Sequence, residues 1–111
     1  MNAINDCKIE NGLDQNANPT GGSVLGTGLS IHWQNGPLGR DVDRKDPNGA
    51  FVETVISAAK QRIEFYQEAN GGKFKCRENA MAITKLDEAL LWLNKRTIDR
   101  ENRKVEGTHT V

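Results

Sequence analysis

Apolar residues recur at helical spacing through the middle of the chain. Val52, Ile56, Ala59, Ile63 and Tyr66 alternate four and three positions apart and so line one stripe of a helix running from about residue 50 to residue 69. Asp46 or Asn48 is the expected N-cap. Asn70-Gly71-Gly72 is the expected stop, because glycine accepts the left-handed backbone of a helix C-cap. A second helix starts near Phe74 and runs past Arg100, with no Gly or Pro before Gly107. The short break folds the two helices back as an antiparallel hairpin. Upstream the period changes. Leu29-Ser30-Ile31-His32-Trp33-Gln34 alternates apolar and polar positions and predicts a strand, ended by Asn35-Gly36-Pro37. Residues 38–46 are charged and read as an exposed loop or a short edge strand. Cys7 and Ile9 alternate with Lys8 and Glu10, which permits one more short strand. Asn11-Gly12 and Asn18-Pro19-Thr20-Gly21-Gly22 are turn or loop signals. The glycine-rich run from Gly21 to Gly28 lacks a Gly-Lys-Ser/Thr ending and reads as a flexible turn, not a phosphate loop. The fold class that follows is α+β: a small N-terminal antiparallel β region, then a long antiparallel α-helical hairpin. The expected segments are a polar stretch over residues 1–27 (partly strand or disordered), a small β region over 28–49 and the hairpin domain over 50–108.

The second helix carries more apolar surface than one partner helix can cover. Cys76, Ile83, Leu86, Leu90 and Leu93 form one stripe, with Ala82 and Ala89 beside it. Met81, Trp92 and Phe74 face nearly the opposite way, and Ala80, Leu91 and Ile98 point in a third direction. A helix that is apolar on every side is buried on every side. Two explanations stand: a subunit interface, or N-terminal strands that cover Trp92 within one chain.

Composition narrows the function. Hydrophobic residues are 36% and aromatics 5% of the 111 residues, a thin supply for one core, so burial on a partner subunit is expected. Lys plus Arg and Asp plus Glu number 15 each, for a formal net charge of zero. That speaks against a nucleic-acid polymer as partner, since such binders carry a basic excess, but leaves room for a small anionic ligand. Cys7 and Cys76 fit no metal-ligand spacing and read as free thiols of a reducing compartment. No secretory signal and no membrane span is apparent, so a cytoplasmic protein without a membrane partner is expected.

One constellation could carry chemistry. Thr97 and Arg100 continue the stripe of Leu86, Leu90 and Leu93, and Arg96 lies four positions before Arg100 on the same side. Two guanidinium groups so placed make a fork for phosphate oxygens. The plainer alternative is an exposed helix end, where Asp99, Glu101 and Glu106 pair with these arginines and the helix dipole favours them. Asn79 falls on the inward side of the first turn and needs partners there. Its amide could read an adenine edge or satisfy local backbone. Asn79 and Arg96 are separated by about 25 Å of helix, so one small ligand can meet both only between two antiparallel copies. Phe65 is the best candidate for stacking a base, because it lies off the main stripe of the first helix. His32 and His109 have no nearby Cys, Ser or second His to make a zinc site or a triad. No catalytic constellation, resident cofactor or metal is expected.

The run Cys76-Arg77-Glu78-Asn79-Ala80-Met81-Ala82-Ile83-Thr84-Lys85-Leu86-Asp87-Glu88-Ala89-Leu90-Leu91-Trp92 resembles the helical-hairpin domain shared by two groups of phage counter-defence proteins. These are the first described family of Thoeris anti-defence proteins and the anti-CBASS cyclic-nucleotide sponge. The continuation Lys95-Arg96-Thr97-Ile98-Asp99-Arg100-Glu101, with the region ahead of the hairpin, is more similar to the anti-Thoeris branch. The resemblance covers about residues 28–108 and is strongest over 50–108. It implies a sponge, not an enzyme, acting in the cytoplasm of an infected bacterial host. Such proteins bind glycocyclic ADP-ribose signals and keep them from the effector. They also bind cyclic di- or trinucleotides at separate sites and assemble as dimers or as hexamers built as trimers of dimers. Carried onto this chain, the ligand-binding positions are Phe65 for the base, Asn79 for a polar contact, and Arg96 and Arg100 for the diphosphate, with Arg44 and Arg103 as further candidates. The expectation that follows is that Arg100→Ala weakens binding sharply and leaves the oligomer mass unchanged. A small helical protein-interaction or inhibitor module is the rival reading.

Overall fold

The computed structural model describes residues 6–111, and the first five positions of the expected polar segment lie outside them. The chain divides into two compact units. One joins the residues up to Phe51 with Arg103–Val111; the other is Val52–Asn102.

The first unit is built on a three-stranded antiparallel sheet in the order β1-β2-β3, with β1 at Lys8–Leu13, β2 at Pro19–Gly26 and β3 at Leu29–His32. Lys8 pairs with Leu25, and Val24 pairs with Ile31, so β2 is the central strand. The glycine-rich run expected as a flexible turn is therefore mostly strand. Glycine is disfavoured in strands for its entropy, but here its missing side chain is used. A Cβ on Gly22 would collide with the Glu10 carbonyl of β1. Asn11-Gly12, expected as a turn, lies inside β1, and the chain reverses over residues 14–18 instead. Asp14 accepts from the backbone N–H groups of Asn16 at 2.8 Å and Asn18 at 3.0 Å, closing the β1–β2 connection. Thr27-Gly28 closes β2 to β3, with Gly28 at φ +70°. The predicted strand over 29–34 ends at His32, and Trp33 makes a single parallel bridge to Ala50. Residues 38–46 form a loop containing a 3-10 turn at Asp41–Asp43, not an edge strand.

Asn48 does not cap the first helix. Its carboxamide oxygen accepts the Asn35 backbone N–H at 2.8 Å and its nitrogen donates to the Asn35 carbonyl at 3.1 Å. The Gln34 side chain accepts the Asn48 N–H at 2.8 Å. These polar contacts tie the end of the sheet to the segment entering the hairpin.

The second unit is the hairpin of α1 (Val52–Gly72) and α2 (Arg77–Asn102). The helical backbone of α1 stops at Ala69, where ψ is 143°, and Asn70 and Gly71 turn left-handed at φ 52° and 65°. This is the expected stop, for the expected reason. α2 begins at Arg77, three residues after Phe74, because Gln67 clamps the turn. Its carboxamide accepts the Cys76 N–H at 2.9 Å and donates to the Cys76 carbonyl at 3.0 Å.

The inward stripe of α1 is rotated from the one the apolar spacing predicts. Ile56, Lys60, Ile63 and Gln67 are half-buried, whereas Val52, Ala59 and Tyr66 are exposed. The polar members reach across the hairpin: Gln67 to Cys76, and Lys60 to Asp87 at 2.6 Å. The Asp87 hydrogen bond raises the Lys60 ammonium above its ordinary 10.5, against a smaller lowering by burial. On α2 the observed stripe follows the sequence more closely. Ile83, Leu86, Leu90 and Leu93 are half-buried, and Cys76 is exposed.

Among the described residues no apolar side chain is buried. Leu91 stays 67% and Trp92 69% exposed, and Phe74, Met81 and Ile98 are exposed too. No helix among them is long and apolar enough to cross a membrane. Cys7 and Cys76 are both free thiols.

Candidate functional site

The far end of α2 is where its inward stripe turns from apolar to basic. Thr97 follows Leu93 on that stripe and is half-buried, its hydroxyl donating to the Leu93 carbonyl at 3.2 Å. Arg100 comes next and is 8% exposed, the one buried side chain among the described residues. Burying a guanidinium is tolerated only where its donors are satisfied. Among the described residues every fully buried side-chain nitrogen and oxygen has a hydrogen-bond partner, and Arg100 is engaged, not free.

Arg96, one turn earlier, is exposed. The two arginines expected as a matched fork thus sit in different surroundings: one held, one open. That changes the expectation for Arg100. Arg100→Ala removes a buried guanidinium that is engaged in the fold, at a cost of about 2 kcal/mol. The thermal midpoint should fall by roughly 10 °C, whatever happens to ligand affinity. Differential scanning fluorimetry of the ligand-free protein checks this, and an unshifted midpoint would mean that Arg100 is dispensable for the fold.

Phe65 and Asn79 stand at the other end of the hairpin. The cross-links from Gln67 to Cys76 and from Lys60 to Asp87 set the register, and between them Phe65 lies level with Asn79. Phe65 is 46% exposed and Asn79 is half-buried. From Asn79 to Arg96 the helix is unbroken, which at about 1.5 Å per residue separates them by roughly 25 Å. One hairpin presents the two halves of the constellation at opposite ends.

Phe65 has company that its place in the sequence stripe does not announce. The Arg62 guanidinium lies over the Phe65 ring at 4.9 Å and over the Tyr66 ring at 5.0 Å, and its Nε donates to the Tyr66 hydroxyl at 3.2 Å. The two ring centroids are 6.0 Å apart. The signal was present in Arg62-Ile63-Glu64-Phe65-Tyr66: both aromatics lie one turn after an arginine, where helical side chains meet.

Arg44 and Arg103 belong to the first unit. Arg44 Nη1 donates to both carboxylate oxygens of Glu106, at 3.0 and 2.8 Å, and to the Gly39 carbonyl at 3.1 Å. Arg40 donates to the Glu106 carbonyl at 2.9 Å, and the Gly39 N–H donates to the Gly107 carbonyl at 2.8 Å. A Cβ on Gly107, whose φ is +80°, would collide with the Gly39 carbonyl. Glu106, which the sequence offered to Arg96 or Arg100, pairs with Arg44 and Arg40. Arg103 Nη1 donates to the Val111 carbonyl at 2.8 Å. These contacts fasten the residues after α2 to the 38–45 loop within one unit.

Among the described residues no cluster of His, Cys, Asp and Glu could hold a metal ion. What the hairpin offers is recognition chemistry: π-faces and an amide near the turn, guanidinium groups near the far end. The fold and these groups define a class, a small α+β protein whose helical hairpin carries aromatic and amide side chains near its turn and arginines near its far end. Residues 29–97 match the Acb2/Tad1 hairpin domain, and the chain belongs to that family. It is also similar to Thoeris anti-defense 1 of Bacillus phage SBSphiJ7, with 49% identity over 80 residues, covering 72% of this chain and 51% of that protein. The chain spans about half the length of that curated relative.

Proposed function

We propose that this protein is a phage counter-defence sponge that sequesters a cyclic ADP-ribose-type immune signal without cleaving it, so that the Thoeris effector is never activated. The observation that carries the proposal is the split constellation. Phe65 and Asn79 lie level with each other at one end of the hairpin, and Arg96 lies roughly 25 Å further along α2. The exposed Leu91 and Trp92 lie between those ends. A second copy packed antiparallel on that apolar surface brings the arginine end of one hairpin beside the aromatic end of the other. The absence of a buried apolar side chain in the described chain supports the same assembly, since burial between copies supplies what the single chain lacks. The name of the phage relative, Thoeris anti-defense 1, supports the pathway.

In the assembled cleft, Phe65 stacks the adenine, Asn79 hydrogen-bonds a polar edge of the ligand, and Arg96 and Arg100 hold the diphosphate. Arg44 and Arg103 are further candidate ligand contacts. A sponge turns nothing over, so it acts by mass action and must bind tightly. Nanomolar affinity corresponds to about −12 kcal/mol. Charge-assisted phosphate contacts, one stacked base and a preformed, water-excluding cleft are interactions of the right kind. The site of action is the cytoplasm of the infected host.

Native mass spectrometry with a panel of cyclic ADP-ribose isomers and cyclic oligonucleotides tests this. The expected spectrum shows an oligomer with one cyclic ADP-ribose isomer retained per composite site, and denaturation returns that ligand with unchanged mass. A monomer that retains none of the panel, or a ligand returned hydrolysed, refutes the proposal.

A further inference from the structure

The cluster of Arg62, Phe65 and Tyr66 has a geometry that the proposed function does not use. Its three groups form a triangle with sides of 4.9, 5.0 and 6.0 Å. All three side chains are exposed, Phe65 at 46% and Tyr66 at 44%. An exposed arginine ordinarily samples many rotamers, and fixing one costs entropy. Here the guanidinium is fixed from three directions: the Phe65 ring, the Tyr66 ring and the Tyr66 hydroxyl, which accepts from Nε at 3.2 Å. Fixing runs both ways. An exposed phenylalanine on a helix is also free to change rotamer, and a guanidinium seated over its face limits that freedom.

We infer that Arg62 is a positioning residue for base recognition: it backs the Phe65 ring, holding the remaining surface ready to stack a purine. The inference rests on the sponge reading and deepens it, because it names the residue that prepares the Phe65 ring for the base. Stacking depends on ring orientation, and a ring already oriented loses less entropy when the base arrives. The cation behind the ring also strengthens its role as the middle layer of a guanidinium–phenyl–purine stack. Tyr66 is the anchor of this arrangement. Its hydroxyl sets the direction of Nε and so the plane of the guanidinium. Arg62 acts through Phe65 and needs no contact with the ligand.

A double-mutant cycle by isothermal titration calorimetry on the full chain, with glycocyclic ADP-ribose as the probe, tests the inference. Phe65→Ala is expected to weaken binding about tenfold or more through loss of stacking. Arg62→Ala is expected to weaken it about five- to tenfold. The Arg62→Ala/Phe65→Ala double variant should bind no worse than Phe65→Ala alone, because Arg62 acts only through the ring. Arg62→Lys keeps a cation near the rings without the planar fork and should fall between wild type and Arg62→Ala. It also carries the test if Arg62→Ala melts early. Wild-type affinity in Arg62→Ala, or losses that add in the double variant, overturns the positioning role while leaving the sponge intact. Failure of the wild-type chain to bind any cyclic ADP-ribose isomer overturns the sponge reading, and the inference with it.

Discussion

Arg96→Ala is expected to weaken binding of glycocyclic ADP-ribose by about ten- to a hundredfold, with no change in oligomer mass or thermal midpoint. The expectation rests on the contrast along α2. Arg96 is exposed, so its removal leaves no buried group unsatisfied. Substitutions of that kind alter stability by only a few tenths of a kcal/mol. The affinity loss is set by charge-assisted hydrogen bonds to phosphate, worth about 1.5–3 kcal/mol. Arg96→Lys should recover only part of it, because an ammonium cannot reproduce a planar two-pronged contact. Arg100 is the less informative position, because its buried guanidinium serves the fold as well as any ligand. Calorimetry on Arg96→Ala that returns wild-type affinity removes Arg96 from the site, and with it the two-arginine clamp on the diphosphate.

Trp92→Glu is expected to dissociate the assembly to monomers and abolish ligand binding together. Trp92 is 69% and Leu91 67% exposed in the single chain. A tryptophan that loses about 150 Å² of accessible surface to a partner gains about 4 kcal/mol at 25 cal/mol per Å². A glutamate in its place forgoes that gain and must shed its hydration on assembly. Circular dichroism should show the hairpin intact, since the cross-links Lys60 to Asp87 and Gln67 to Cys76 lie elsewhere. Size-exclusion chromatography with light scattering reads the outcome. If Trp92→Glu keeps the wild-type mass, Trp92 is not at the interface between copies. If the wild-type protein is itself a monomer, the exposed face serves a foreign partner, and the interaction-module reading takes over.

Both expectations depend on features that differ in how far the sequence reveals them. The hairpin was legible because its determinants are local. Periodicity marked both helices, and Asn70-Gly71 adopts left-handed angles that few other residues accept. The inward course of Ile83, Leu86, Leu90, Leu93, Thr97 and Arg100 was legible for the same reason, since an unbroken helix fixes direction from spacing alone. The central strand β2 was not legible. Its glycines read as a turn, and only the close approach of Glu10 on β1 explains why a side chain is unwelcome there. The rotation of the α1 stripe was hidden too, because Lys60 and Gln67 face inward for partners on α2 that no count of apolar residues anticipates.

The sequence by itself determined the helical hairpin, the neutral charge, the family resemblance and the set of candidate side chains. Spacing, composition and motif are properties of neighbours along the chain. The tertiary structure alone decided which arginine is buried and which is open, and that Glu106 pairs with Arg44 and Arg40. A side chain's surroundings are set by whichever segments pack against it, and several partners of like chemistry compete for each charge. Only the three-dimensional course of the chain selects among them.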